Sequence, residues 1–157
     1  MLRFLAFVED TVGLALMSLI WGVVLLQVAA RLDGGSFSWT EELSRYVFIW
    51  ICFIGASAGI RTREHAGMSF LKEWLGPRAG RALIILQDGL FLVLTAALCI
   101  LGAQFTLTQF RAGQMGSAVP LPLYVVSAAV PVGMALACCN LLRLLAEDIW
   151  PLFSKKG

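Results

Sequence analysis

Four long apolar blocks, separated by short polar stretches, set the pattern of this 157-residue chain. The first block covers residues 11–30 without a charge, and 20 helical residues at about 1.5 Å each span the roughly 30 Å core of a bilayer. The other three blocks cover 38–60, 82–107 and 122–145. The pattern predicts an all-α integral membrane protein, a single domain over 1–157 with four transmembrane helices.

A signal peptide is the rival interpretation of the first block, because Ala29 and Ala30 could precede a cleavage site. The apolar run is longer than the usual signal region of about 7–15 residues, and Glu9 and Asp10 stand where a positive leader is expected. We therefore expect a retained transmembrane helix.

Polar residues extend the second block, whose apolar part runs only from Tyr46 to Ile60. Ser38 and Glu41 have the spacing of a capping box, which predicts that the helix begins near Ser38. Trp39 and Tyr46 are suited to anchor its first turns at the membrane interface.

Small residues recur at four-residue spacing in two blocks. Gly55 and Gly59 form one such face in the second block, and the fourth block repeats the spacing at Ala129, Gly133 and Ala137. These faces allow helices to approach closely. The spacing leaves open whether the neighbouring helix belongs to this chain or to another.

The composition indicates a membrane protein, and the placement of the charges predicts its orientation in the membrane. Hydrophobic residues make up 59% of the chain and charged residues 14%, against about 25% charged in soluble domains, so a soluble enzyme, a disordered chain and a nucleic-acid binder fit poorly. Nine lysines and arginines fall on the side of the two termini and the loop between helices two and three, and three fall on the other side. The positive-inside rule then predicts that both termini are cytoplasmic.

The stretch after the second block is the most polar part of the chain. Arg61, Arg63 and His65 cluster there, and residues 68–75 can form a short amphipathic helix in the interface that ends at Gly76-Pro77. Four residues suit contact with lipid headgroups: Lys72, Trp74, Arg78 and Arg81. An ordinary basic loop beside the membrane is the alternative.

Charged residues at the start of the second helix allow two interpretations. Arg45 can pair with Glu41 four residues before it or with Glu42 three residues before it. Either the pair is a solvated helix end worth a fraction of a kcal/mol, or it is a polar docking surface for a partner.

Few polar residues lie inside the predicted spans. Asp88 is the only acid within the apolar part of a span, and it fits either an interfacial position or an ion path. Gln27, Gln104 and Asn140 are expected to hydrogen-bond between helices.

Catalytic and cofactor chemistry find little support. All four cysteines lie in apolar blocks, which predicts no disulfide framework, and a single histidine cannot provide a bis-histidine haem site. No metal-ligand cluster, phosphate-binding glycine loop or nucleophile–base pair is evident. We expect no enzyme activity and no cofactor.

The segment FSWTEELSRYVFIWICFIGASAGIRTREHAGM, residues 37–68, carries a family resemblance. With its size and four spans, the chain resembles the small membrane subunit, or DctQ-like family, of tripartite ATP-independent periplasmic (TRAP) transporters. The matching positions are a Trp-x-Glu-Glu helix start, a Gly-Ala pair, an arginine and a histidine: Trp39, Glu41, Glu42, Gly55, Ala56, Arg61 and His65.

The resemblance implies a scaffold in the bacterial inner membrane. A large multi-span subunit would carry the substrate and sodium sites, and a periplasmic binding protein would transiently deliver a carboxylate-bearing solute. The expected partner interface comprises Trp39, Glu41, Glu42, Arg45, Gly55, Gly59, Arg61, Arg63 and His65. Two alternatives stay open: a standalone small proton-coupled carrier or exporter that uses Asp88, and a lipid-interacting structural protein without a transport partner.

Overall fold

The computed structural model describes the backbone of residues 2–32, 35, 37–62 and 69–154, and side chains within 6–32, 35, 37–62, 80 and 83–146. The helices are α1 (Leu2–Leu32), α2 (Ser38–Arg61), α3 (Ser69–Ala112), α4 (Leu123–Ser127) and α5 (Ala129–Ser154). Four stretches are long and apolar enough to cross a membrane: Ala6–Leu32, Ser38–Arg61, Leu83–Ala112 and Leu123–Ala146. The predicted all-α fold with four transmembrane helices is confirmed.

The start of α2 differs from the predicted capping box. Phe37 is the N-cap residue, with extended backbone angles, and no side chain caps the helix from that position. Ser38 is thus the first helical residue, and a capping box requires the serine one position earlier, outside the helix. Instead, the Thr40 hydroxyl donates to the Phe37 carbonyl at 2.7 Å.

The short helix predicted before the third span is not a separate element. The 44 residues of Ser69–Ala112 form one helix, which continues through Gly76 and Pro77 instead of ending there. A proline inside a helix removes one backbone hydrogen bond, a loss that several helical turns on both sides can tolerate.

The fourth span is divided by a turn at Ala128, between α4 and α5. Pro131 has no N–H to donate to the carbonyl of Ser127, four residues before it, so the regular hydrogen-bond pattern is interrupted at the end of α4. The Val132 amide donates to the Ala128 carbonyl at 3.1 Å, which resumes the pattern on the far side of the turn.

The helices lie side by side in the order α1, α2, α5, α3. In the described part of the chain, α1 packs along α2, α2 along α5, and α5 along α3, whereas α1 and α3 do not pack on each other. The two inner helices therefore supply most of the buried residues, including Val47, Ile54, Met134 and Leu141. The two outer helices leave large apolar side chains exposed, such as Trp21 on α1.

Small residues bring the inner helices together. Ala129 and Ala137 are fully buried, and a Cβ placed on Gly133 would lie 2.6 Å from the Cβ of Phe53 on α2. A Cβ on Gly102 of α3 would meet Val130 at 2.7 Å. The small-residue face predicted in the fourth block thus packs helices, and at Gly133 its neighbour is α2 of the same chain.

Candidate partner-binding surfaces

Glu42 anchors the loop between α3 and α4, residues 113–122, which we call the α3–α4 loop. Its Oε1 accepts hydrogen bonds from the Ser117 amide at 2.9 Å and the Tyr46 hydroxyl at 2.5 Å. Its Oε2 accepts from the amides of Ala118 at 2.5 Å and Val119 at 2.7 Å. A carboxylate that accepts several N–H groups holds them as a fixed nest. Glu42 is therefore committed to a contact within the chain.

Two glycines allow the loop to reach this carboxylate. Gly113 has a φ of 60°, the left-handed region that glycine adopts without strain. At Gly116 an added Cβ would lie 2.5 Å from the Val119 carbonyl oxygen and 2.9 Å from Glu42 Oε1. Any larger residue at Gly116 must push the loop away from Glu42, so this position requires glycine.

Glu41 and Arg45 form the exposed ion pair at the same end of α2. Their side chains are 64% and 69% exposed, and Arg45 Nη2 lies 3.5 Å from Glu41 Oε1. Trp39 is also exposed. The structure thus separates the two neighbouring acids: Glu41 faces outward with Arg45, and Glu42 binds the α3–α4 loop.

A second polar cluster joins α1, α2 and α5 at the other end of α2. Glu9 Oε1 accepts hydrogen bonds from the Ser57 hydroxyl at 2.8 Å and from Asn140 Nδ2 at 3.1 Å. Arg61 Nε lies 3.3 Å from Glu9 Oε2, and its Nη2 also pairs with Asp10. The expected role of Asn140 as a hydrogen-bonding residue between helices is confirmed.

Burial makes this Glu9 cluster (Glu9, Asp10, Ser57, Arg61 and Asn140) costly to disrupt. The Glu9 side chain is only 2% exposed, and a buried carboxylate persists only when it is paired and hydrogen-bonded. Its Oε2 nevertheless has no hydrogen-bond partner among the described residues, and the same is true of Arg61 Nε. The Glu9 carboxylate is thus ion-paired with Arg61, but among the described residues only its Oε1 accepts hydrogen bonds.

A groove of about 390 Å³ opens between α1 and α2 beside this cluster. Glu9 and Asp10 form its polar end, and the rest is lined by apolar or small residues from both helices. These include Gly13, Leu14 and Met17 of α1 with Ile51, Gly55 and Ala58 of α2. Gly55 thus lies in an open groove, in contrast to Gly133. Gly59, one turn further along α2, is half-buried.

The other residues predicted to contact a partner or lipid lie wholly or partly outside the described part of the chain. Arg63 and His65 lie outside the described residues. The backbone of Lys72, Trp74, Arg78 and Arg81 belongs to α3, but their side chains are outside the described part. Within that part, no group of histidine, cysteine, aspartate and glutamate side chains could hold a metal ion.

The sequence patterns did not reveal Glu9 as a structural residue. They indicated only that its negative charge argues against the positive leader of a signal peptide. The signal available was an acid near the start of the first apolar block and an arginine at the end of the second. On adjacent antiparallel helices these two positions lie at the same end.

The four long apolar helices define a multi-pass membrane protein. Residues 20–149 match the family described as the DctQ component of tripartite ATP-independent periplasmic transporters. Since this match covers most of the chain, the protein belongs to that family.

Three relatives illustrate the similarity. The C4-dicarboxylate TRAP transporter small permease protein DctQ of Rhodobacter capsulatus is 32% identical over 113 residues, 72% of this chain and 50% of that protein. The sialic acid small permease protein SiaQ of Vibrio cholerae is 28% identical over 98 residues, 62% of this chain and 57% of that one. The isethionate permease protein DctMQ of Oleidesulfovibrio alaskensis is 29% identical over 111 residues, 71% of this chain but 18% of that protein. The chain thus spans about half the length of the small permeases it matches.

Proposed function

We propose that this protein is the non-catalytic small membrane subunit of a TRAP transporter and that it scaffolds a large multi-span membrane subunit. The observation that carries the proposal is the family match over residues 20–149. The resemblance first seen in the Trp-x-Glu-Glu segment of α2 points to the same role.

Longer relatives support a large permease as the partner. The matching segment forms 18% of the DctMQ permease protein and 12% of the sialic acid TRAP transporter permease protein SiaT of Haemophilus influenzae. In those proteins a segment similar to this chain is part of a longer permease polypeptide. A separate small chain would make the equivalent contacts between subunits.

The geometry supports a scaffold more than a passage for solute. Four polar residues are buried in the described part of the chain: Glu9, Thr40, Ser57 and Thr95. Each one makes a hydrogen bond within the chain, to a backbone carbonyl or to the Glu9 cluster. Apolar surface on the outer helices remains available for lipid or for a partner.

The charge distribution gives the proposed orientation. With both termini in the cytoplasm, the α3–α4 loop and the Glu41–Arg45 pair face the periplasm, and the Glu9 cluster faces the cytoplasm. A periplasmic binding protein would dock transiently at the first end. His65, Arg63 and the basic stretch that contains Lys72, Trp74, Arg78 and Arg81 would contact the large subunit or lipid headgroups on the cytoplasmic side of the inner membrane.

The solute is proposed as a class. Relatives are named for C4-dicarboxylates, sialic acid and isethionate, two carboxylate-bearing solutes and one sulfonate. An organic anion, most simply a carboxylate, fits these names, and sodium as the driving ion is what the family resemblance implies. The alternative of a standalone carrier that uses Asp88, half-buried on α3, is not favoured, because the relatives are named as permease components.

Affinity purification tests the subunit role. The tagged chain is solubilised from native membranes in mild detergent, and its stoichiometric partners are identified by mass spectrometry. We expect a large multi-span membrane protein at one to one, and sodium-dependent uptake in liposomes only when both chains and the binding protein are present. Recovery of the chain alone, with proton-coupled flux that Asp88→Asn abolishes, would establish the carrier instead.

A further inference from the structure

In the described part of the chain, one face of α2 has no neighbour along most of its length. The exposed residues on this face follow alternating spacings of four and three: Glu41, Arg45, Phe48, Cys52 and Gly55. Spacings of four and three place these residues on one side of the helix. Beyond the Glu41–Arg45 pair the face is apolar, and it ends in small residues that permit close approach.

No described side chain fills the space beside the small residues of the groove. A Cβ added to Gly55 or to Gly13 would meet nothing within 4 Å. At Gly133 and Gly102, by contrast, an added Cβ would clash with a neighbouring helix of the same chain. The α1–α2 groove therefore has the composition of a helix contact without the helix that would occupy it.

Among the described residues, the polar end of the groove has more acceptor groups than donor groups. Glu9 and Asp10 are two carboxylates that pair with one guanidinium, that of Arg61. Glu9 Oε2 is buried and has no hydrogen bond among the described residues. The Asp10 side chain, by contrast, is 55% exposed and lines the same end of the groove, so a donor from outside the chain can reach this carboxylate. Among the described residues the two carboxylates and the one guanidinium leave an excess negative charge, which favours a cationic donor.

We propose that a transmembrane helix of the large membrane subunit packs into the α1–α2 groove along the exposed face of α2 and places a lysine or arginine beside Glu9 and Asp10. The inference rests on the proposed subunit role and specifies which surface performs it. A helix fits better than a lipid chain, because Gly13 and Gly55 permit a close helix contact and the acidic end of the groove favours a basic side chain over a lipid phosphate. Arg61 and Glu42, both committed to contacts within the chain, support this surface rather than form it.

Four glycines provide a matched test, since Gly13, Gly55, Gly22 and Gly89 all have open space around them. Gly13→Leu and Gly55→Leu fill the groove. Gly22 lies nine residues, or about two and a half helical turns, beyond Gly13 and so on the opposite side of α1, and Gly89 lies on α3. We expect the large subunit recovered per tagged chain to fall about tenfold or more in the groove variants and to be unchanged in the Gly22→Leu and Gly89→Leu controls.

Photo-crosslinking identifies the occupant without relying on a disruptive variant. A photoreactive amino acid replaces Met17, which lines the groove, or Leu90, an exposed control position on α3. A covalent adduct between the large subunit and the Met17 position, absent at Leu90, supports the proposal. An adduct with lipid or with a second copy of this chain at Met17 overturns it.

The outcomes separate the two proposals. Loss of the partner from the wild-type chain would mean that the subunit role itself is wrong. Full recovery of the large subunit with Gly13→Leu and Gly55→Leu would keep the subunit role and exclude the α1–α2 groove as its docking surface.

Discussion

Gly133→Ala tests whether the contact between α2 and α5 holds the inner pair of helices together. The added Cβ would lie 2.6 Å from the Phe53 Cβ and 2.8 Å from the Phe53 carbonyl oxygen. Favourable carbon–carbon contacts are about 3.5–4.0 Å long, so the two helices must separate by about 1 Å. The Phe53 carbonyl belongs to the backbone, and it cannot rotate out of the way.

The expected magnitude follows from two opposing effects. Overpacking a tight contact costs about 1–3 kcal/mol, and replacing a helical glycine by alanine returns up to about 1 kcal/mol through helix propensity. For Gly133→Ala the first effect prevails, and we expect a net destabilisation of about 1–2 kcal/mol. Gly22→Ala and Gly89→Ala meet no neighbour, so only the propensity effect remains. These controls should be unchanged or slightly more stable.

Unfolding of the purified chain in mild detergent, followed by helical circular dichroism during titration with a denaturing detergent, measures these differences. Gly133→Ala should unfold at a lower denaturant fraction than the wild type, and the two controls should not. If Gly133→Ala falls within about 0.5 kcal/mol of Gly89→Ala, the α2–α5 contact is not as tight as the structure indicates and the argument from the Phe53 backbone is refuted.

Three further predictions address the polar residues. Glu42→Gln turns an amide donor toward backbone N–H groups, and Gly116→Ala places a Cβ within 2.9 Å of three oxygens. Both variants should therefore speed protease cleavage of the α3–α4 loop. Unchanged cleavage would show that Glu42 does not hold the loop in place. Asn140→Leu removes a donor shared by three helices and should lower the free energy of unfolding in detergent by about 0.6–2 kcal/mol, an effect absent if Asn140 does not bridge them. Glu41→Gln combined with Arg45→Gln should change the free energy of unfolding by less than about 1 kcal/mol, because the pair is exposed, yet reduce co-purification with the large subunit or solute uptake. Wild-type co-purification and uptake in that double variant would remove the pair from the interface.

The membrane makes the helices predictable from sequence. Each span must be long and apolar, and each must satisfy its own backbone, so the four apolar blocks correspond to four membrane-spanning stretches. The number of crossings follows from composition alone. The order of the helices does not, because every block is apolar enough to be inner or outer.

The sequence patterns did not predict contacts between residues that are distant in sequence. Glu41 and Glu42 both lie within one helical turn of Arg45 and look interchangeable. One residue along a helix is a rotation of about 100°, which directs Glu41 outward and Glu42 toward Ser117, 75 residues away in sequence. The local spacing predicted the pair with Arg45, and only the fold shows what Glu42 binds.

The small-residue faces show the same distinction. Gly55 and Gly133 occur in similar patterns of small residues, and both permit a close helix neighbour. In the structure Gly133 is packed against Phe53 of the same chain, whereas Gly55 faces open space. A small residue therefore indicates that a helix can approach, and the neighbour must be found from the fold.

Neighbouring helices in the row are held together by two kinds of contact, close packing and polar pairs. Lipid tails are as apolar as leucine, so burial alone does not drive helices together in a membrane, and close packing or polar contacts must do so. The contacts between α2, α5 and α3 have tight glycine packing at Gly133 and Gly102, and the Glu42 anchor fixes the loop that joins α3 to α4. Gly13 on α1 has open space around it instead. The described polar contacts of α1 with α2 and α5 are the hydrogen bonds and ion pairs of the Glu9 cluster. Because that cluster sits at the polar end of the open groove, a partner that binds there would also fix the position of α1. A docked helix would then add close packing to a contact between α1 and α2 that polar groups already hold at one end.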